Sequence, residues 1–236
     1  LSKQNKVLWP LKPVHAISSF YSIYNNITEE FNPEDKNFIN KEFGIKSLEM
    51  MKNISAYLIS DCFVMDPINT AEILSSDDDF YYSPYTYGFS NYSRENYRAN
   101  ILTYGNVLNL SNKGPNGTHL GGTGIAISNK SNHKDLALDY SYWIAGADCQ
   151  QSLFYNSGGQ PGNSLAWENQ QINNECNSFF NNTRLTLNQA WIRPRHNGYM
   201  KFQDESGNII NEYLQSNTNE SIIIDKLKKM YAESFE

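Results

Sequence analysis

Three blocks crowd between Gly121 and Gln203: GGTGIAIS (Gly121 to Ser128), SGGQPG (Ser157 to Gly162) and WIRPRHNGYMKFQ (Trp191 to Gln203). Each joins chain-bending residues to aromatic or guanidinium groups, and no short internal repeat imposes the pattern. Glycine lets a backbone approach a neighbour closely or take positive φ, while aromatic faces supply apolar area with a polar tip. Such blocks read as the walls of a binding cleft rather than as a reaction centre.

In order and spacing these blocks resemble the C-terminal part of family 1 extracellular solute-binding proteins, the ligand receptors of ABC importers, often for carbohydrates. The resemblance reaches back to SPYTYGFSNY (Ser83 to Tyr92), so it covers most of the 236 residues. It implies an α/β chain with a periplasmic-binding-protein-like (type II) two-lobed fold, most of the N-terminal lobe being absent from this sequence. On that pattern residues 1–118 and 171–236 form the C-terminal lobe and 119–170 belong to the N-terminal lobe. The ligand is then held between lobes that close as a hinged clamp. The resemblance further implies a small polar solute, a sugar or an organic acid, passed unchanged to a membrane permease. It also implies no cofactor, a periplasmic or extracellular location, and a monomer at full length.

Composition fits a folded receptor. With 39% hydrophobic and 14% aromatic residues the chain can bury a core. A formal net charge of −6 argues against a polyanionic partner, and no basic stripe suited to nucleic acid occurs. No apolar run approaches the roughly 20 residues of a membrane span. No export signal is visible, and a chain that opens on Leu1 rather than a start methionine could not show one. Cys149 and Cys176 flank the SGGQPG turn, which leaves a disulfide across it open in an oxidising compartment. Cys62 reads as a small buried hydrophobe. Asn-x-Ser/Thr triplets begin at Asn26, Asn53, Asn91, Asn109, Asn116, Asn129, Asn181 and Asn219. Asparagine is frequent enough to produce them by chance, and the resembled family is prokaryotic, so no glycans are expected.

Val7 to Leu11, Phe80 to Tyr82, Ile101 to Leu110 and the alternation around Ile125 and Ile127 predict strands. Helical spacing begins near Val14 with Ile17, Phe20, Tyr21 and Tyr24, and recurs at Leu48, Met51 and Leu58. It returns at Leu136, Tyr140, Trp143 and Ile144, with Asn132 as the expected cap. Further helices are expected from Asp148 to Tyr155, from Tyr199 through Leu214, and from Asn219 through Tyr231. Gly207 costs the middle one about 1 kcal/mol. An Asn/Gly/Pro-rich crossing occupies Ser111 to Thr118. Alternating strands and helices again indicate the α/β class.

Sugars present flat apolar C–H faces edged by hydroxyls, so aromatic rings beside planar hydrogen-bonding groups suit them. Tyr85 and Tyr87 fall in a Pro-led loop, and Trp191 and Tyr199 flank the second aromatic block. The resemblance places Tyr85 and Tyr199 among cleft aromatics, although most of the 16 Tyr, 12 Phe and 4 Trp must be core. Arg193 and Arg195 straddle Pro194 and offer bidentate forks for a carboxylate or paired hydroxyls, or else an ion pair or a helix cap. Gly121, Gly122 and Thr123 offer backbone N–H groups and one hydroxyl. They are no phosphate loop, since GxxxxGK followed by Ser or Thr is missing. Gln160 sits in a tight turn that either reaches ligand or joins two helices. Lys12 and His15 follow a strand end where the resembled family presents polar ligand groups. No metal set is read: HExxH and the GxSxG elbow are missing, and Asp77 to Asp79 lack calcium-loop spacing. Two other readings stay open: a carbohydrate-active enzyme using a cleft carboxylate, and a truncated remnant that binds nothing.

Overall fold

The computed structural model describes residues 6–28, 32–37, 39–110 and 114–236. Ten α-helices follow one another among them: α1 (Pro13–Ile27), α2 (Lys41–Ser55), α3 (Pro67–Leu74), α4 (Lys134–Ala145), α5 (Ala147–Cys149), α6 (Ser164–Glu168), α7 (Gln170–Glu175), α8 (Phe179–Asn188), α9 (Tyr199–Leu214) and α10 (Glu220–Glu233). No helix among the described residues is long and apolar enough to cross a membrane. The chain divides into two compact units. Unit 1 comprises Leu1–Tyr87, Asn106–Leu120 and Leu185–Glu236, and unit 2 comprises Gly88–Gly105 and Gly121–Arg184.

Unit 1 is built on α1. Pro13 opens the helix, where its missing N–H leaves no bond unmade. The predicted face, Ile17, Phe20, Tyr21 and Tyr24, is buried together with Ala16 and Ile23. α1 packs on α9, and the crossing point is Gly207: a Cβ there would lie 2.4 Å from the carbonyl oxygen of Pro13. The glycine that weakens the helix in isolation is therefore what lets the two backbones meet. α2 starts on Asn40, whose side chain accepts from the N–H groups of Glu42 (2.9 Å) and Phe43 (3.3 Å). From α2, Lys52 donates to the carbonyls of Tyr213 (3.0 Å), Leu214 (2.9 Å) and Ser216, placing a cation at the C-terminal end of α9. α10 begins at the predicted cap Asn219 and buries Ile223, Ile224, Leu227 and Tyr231. Asn26 on α1 is 0% exposed. Its amide donates to the carbonyls of Leu108 (3.2 Å) and Asn116 (2.8 Å) and accepts from the N–H of Leu110 (2.7 Å). The crossing expected over Ser111 to Thr118 includes 111–113, which lie outside the described residues.

The expected α/β class is corrected here. No strand forms among the described residues; of two isolated parallel bridges, Val7 with Tyr82 joins two segments expected as strands, and His119 with Trp191 joins two that were not. The backbone groups find other partners. Leu11 N–H donates to the carbonyl of Cys62 (2.8 Å), while Val107 and Leu110 donate to side chains, Thr186 Oγ1 (2.9 Å) and Asn26 Oδ1 (2.7 Å). A parallel ladder needs both its faces covered. Ile125 is instead exposed, so no buried face fixes a register at that segment.

Unit 2 holds a smaller core. The Trp167 and Phe180 rings lie 4.9 Å apart, Phe179 meets Tyr104 edge-on at 5.0 Å, and Trp167 Nε1 donates to the Pro161 carbonyl (2.8 Å). The Arg94 guanidinium covers the Tyr155 ring at 3.8 Å. The helix expected from Asp148 to Tyr155 is there, as α5 followed by a π-helical stretch, Gln150–Phe154. α4 also forms where periodicity placed it, with His133 rather than Asn132 at its N-cap position. Its apolar face is nevertheless not buried: no residue of α4 is, and Leu136 is 70% and Trp143 51% exposed. Cys149, Cys176 and, in unit 1, Cys62 are free thiols, all buried, so the bridge left open by spacing is not made.

Candidate ligand-binding site

Within unit 1 the start of α1, the loop ending at Tyr87, and the segments around His119 and Trp191 bring polar and aromatic groups to one place. The parallel bridge fixes two of them. Trp191 N–H donates to the Thr118 carbonyl and Leu120 N–H to the Trp191 carbonyl, each at 2.9 Å. The His119 and Trp191 rings are thereby stacked, with centroids 5.0 Å apart and planes 21° from parallel. Trp191 Nε1 donates to the Gly117 carbonyl (3.0 Å), and the Tyr21 ring meets the indole edge-on at 5.4 Å. Gly117 has φ +97°, and a Cβ on it would lie 2.4 Å from the Ser22 carbonyl oxygen.

His119 Nδ1 sits 3.1 Å from the Tyr87 hydroxyl and 3.3 Å from Ser18 Oγ, and the Ser18 hydroxyl also donates to the Val14 carbonyl (2.9 Å). Burial, reinforced by the positive charge of Arg193, pushes the His119 pKa down to about 4. At neutral pH the imidazole is uncharged. His15 meets the Tyr87 ring edge-on at 6.1 Å. Its pKa is lowered, by burial first and by Lys12 in smaller part, with Asp66 pulling the other way. Burial raises the Tyr87 phenol, partly offset by a hydrogen bond with Ser18 and by Arg193.

Arg193 follows Trp191 by two residues, and its charge acts on His119, Tyr87 and Tyr199. Its Nη1 donates to Gln203 Oε1 at 3.2 Å. Gln203 is 3% exposed and lies one turn beyond Tyr199 on α9.

The other residues singled out in the sequence take varied positions. Tyr85 is 9% exposed and stacks on Trp9 (5.8 Å, 30°), within the core of unit 1. Its hydroxyl is buried without a hydrogen-bond partner among the described residues, and burial raises its pKa. Tyr199 is 2% exposed and packs between Phe202 and His196. Lys12 is exposed, and its carbonyl accepts from His15 (2.7 Å) and Ala16 (3.0 Å) at the start of α1. Arg195 is exposed. In unit 2, Gln160 commits its amide within that unit: Oε1 accepts from Ser90 N–H (2.7 Å) and Nε2 donates to the Gly88 carbonyl (3.3 Å). Gly121, Gly122 and Thr123, also in unit 2, are exposed. Sequence reading passed over His119, Ser18 and Gln203. His119 stands two residues before Gly121, at the edge of a block already singled out, and Gln203 closes another. Ser18 carries no signal beyond its place one turn after His15.

Chemically, the cluster supplies ring faces, two hydroxyls, a neutral imidazole and a guanidinium, a set suited to binding. No group of three His, Cys, Asp or Glu that could hold a metal ion occurs among the described residues.

The fold has a counterpart among solved structures. No family model and no curated protein matches the sequence. Among solved structures, the maltose-bound MalE3 of T. maritima matches it with a TM-score of 0.66 at 13% identity, over 95% of this chain and 59% of that one. The chain thus spans about three fifths of that neighbour's length, and at this identity the likeness is one of fold.

Proposed function

We propose that this chain is the solute-capturing component of an ABC importer, holding a small polar solute, a carbohydrate, without chemical change and delivering it to a membrane permease. The observation that carries this reading is the fold shared with maltose-bound MalE3 over nearly the whole chain. The stacked His119–Trp191 pair supports it, since ring surface flanked by hydroxyls and a guanidinium complements the C–H face and hydroxyl rim of a sugar. In this reading the fold is the two-lobed type II receptor fold. The protein then works outside the cytoplasmic membrane. Trp191, Tyr87, His15 and Arg193 contact ligand, with Lys12 and Arg195 beside them. Tyr85 and Tyr199, buried in the same unit, support the walls of the site.

Thermal melting against mono- and oligosaccharides, polyols and organic acids tests the reading. A solute that binds only the native state stabilises it by about 2.7 kcal/mol at 100 times its dissociation constant. A saturable rise with at least one sugar is expected. A melting point that no solute moves removes the proposal, and turnover of a sugar would replace it with an enzymatic one.

A further inference from the structure

We infer that the solute carries a carboxylate and that Arg193 reads it, which makes the ligand an acidic sugar, a hexuronate, rather than a neutral one. The inference rests on the sugar-receptor reading and narrows it. Arg193 is exposed, stands two residues after Trp191, and is followed by the buried Pro194, which holds the backbone. Gln203 anchors one edge of the guanidinium at 3.2 Å. That engages one of five N–H donors, and no carboxylate pairs with Arg193 among the described residues.

The sequence has 25 Asp and Glu against 19 Lys and Arg, so an arginine without an acidic partner is not for want of acids. Asp66, the carboxylate whose charge bears on His15, is already committed to capping α3, accepting from Ile68 N–H (2.9 Å) and Asn69 N–H (3.0 Å). A neutral sugar's hydroxyls need acceptors as well as donors, and ionised acids are the strong acceptors. The cluster's acceptors, the Tyr87 and Ser18 hydroxyls and the imidazole, are uncharged, and its one charged group is a cation. A carboxylate accepts only, and its two oxygens match the guanidinium fork. The electrostatics agree: the Arg193 charge favours the ionised forms of Tyr87 and Tyr199 and opposes protonation of His119, so its field covers the cluster. Tyr87 and Trp191 are half-buried, and the ring surface they keep outside the core suits a sugar body, which a simple organic acid would leave unused.

Calorimetric titration and melting with glucuronate, galacturonate and mannuronate, each paired with its parent neutral sugar, and with succinate as a carboxylate lacking a ring, test this. At least one uronate should bind, its parent sugar at least about tenfold more weakly, and added salt should weaken the uronate. Arg193→Gln should lower uronate affinity by about tenfold or more and narrow the gap between a uronate and its parent sugar, while Arg193→Lys, which keeps the charge but not the fork, should retain part of that gap. Equal binding of a neutral sugar and its uronate in both proteins overturns the inference and leaves the receptor reading standing. Succinate binding with no uronate response overturns it in favour of an organic acid. If no solute binds, both fall together.

Discussion

α9 and α4 are both helices whose apolar positions recur at helical spacing, yet α9 buries eight of its residues and α4 buries none. α9 has α1 against it, at a distance only Gly207 permits, and Lys52 on its last carbonyls. α4 keeps Leu136, Tyr140, Tyr142 and Trp143 in solvent. Periodicity states which face a helix would bury; whether it does so depends on a partner that lies elsewhere in the sequence.

The contrast can be broken most forcefully in unit 1. Phe20→Ala empties a fully buried position of α1 and should cost about 3–5 kcal/mol in urea unfolding; a cost below 1 kcal/mol would show that the α1 core is not what holds the unit. Gly207→Val drives a Cβ at backbone rather than at a movable side chain, so about 3 kcal/mol and a lower melting point are expected. Ala at the same site should recover only part of the loss, because the first carbon already collides. A smaller effect comes from pH. The folded His119 pKa of about 4 lies below the ordinary 6.5, so the unfolded chain takes up a proton that the native site refuses. Stability is therefore undiminished above pH 6.5 and falls as pH drops from 6.5 toward 4, by on the order of 2 kcal/mol. His119→Gln should flatten that stretch of the stability-versus-pH curve, and an unchanged slope would assign the acid loss to other groups. The smallest effect belongs to α4. Leu136→Ala should move stability by less than about 0.5 kcal/mol, and a loss near 3 kcal/mol would reveal a cover over the helix.

What the sequence disclosed follows the same division. The faces of α1 and α10 were readable because four or five residues of one turn-spaced set sufficed to define them. Strands at 101–110 and around Ile125 were not, since a ladder is made by distant partners, and here Thr186 and Asn26 take the N–H groups a neighbouring strand would have used. Trp191 and Arg193 announced themselves by composition. His119 joined them only through a bridge across 72 residues, as 191 − 119 counts, which no local pattern encodes. Tyr85 shows the converse: an aromatic in a conspicuous loop is stacked on Trp9 in the core.

Asn26 begins an Asn-Ile-Thr triplet, and both hydrogens of its amide nitrogen are already donated, to Leu108 and Asn116, inside a fully enclosed position. An oligosaccharyltransferase acting on the nascent chain in a eukaryotic secretory host would leave that nitrogen one hydrogen and a branched substituent no cavity there can hold. Such a host would divide the product into unmodified molecules able to fold and modified ones able only to be degraded. Bacterial expression, or Asn26 left intact with Thr28→Val to erase the triplet, avoids that partition.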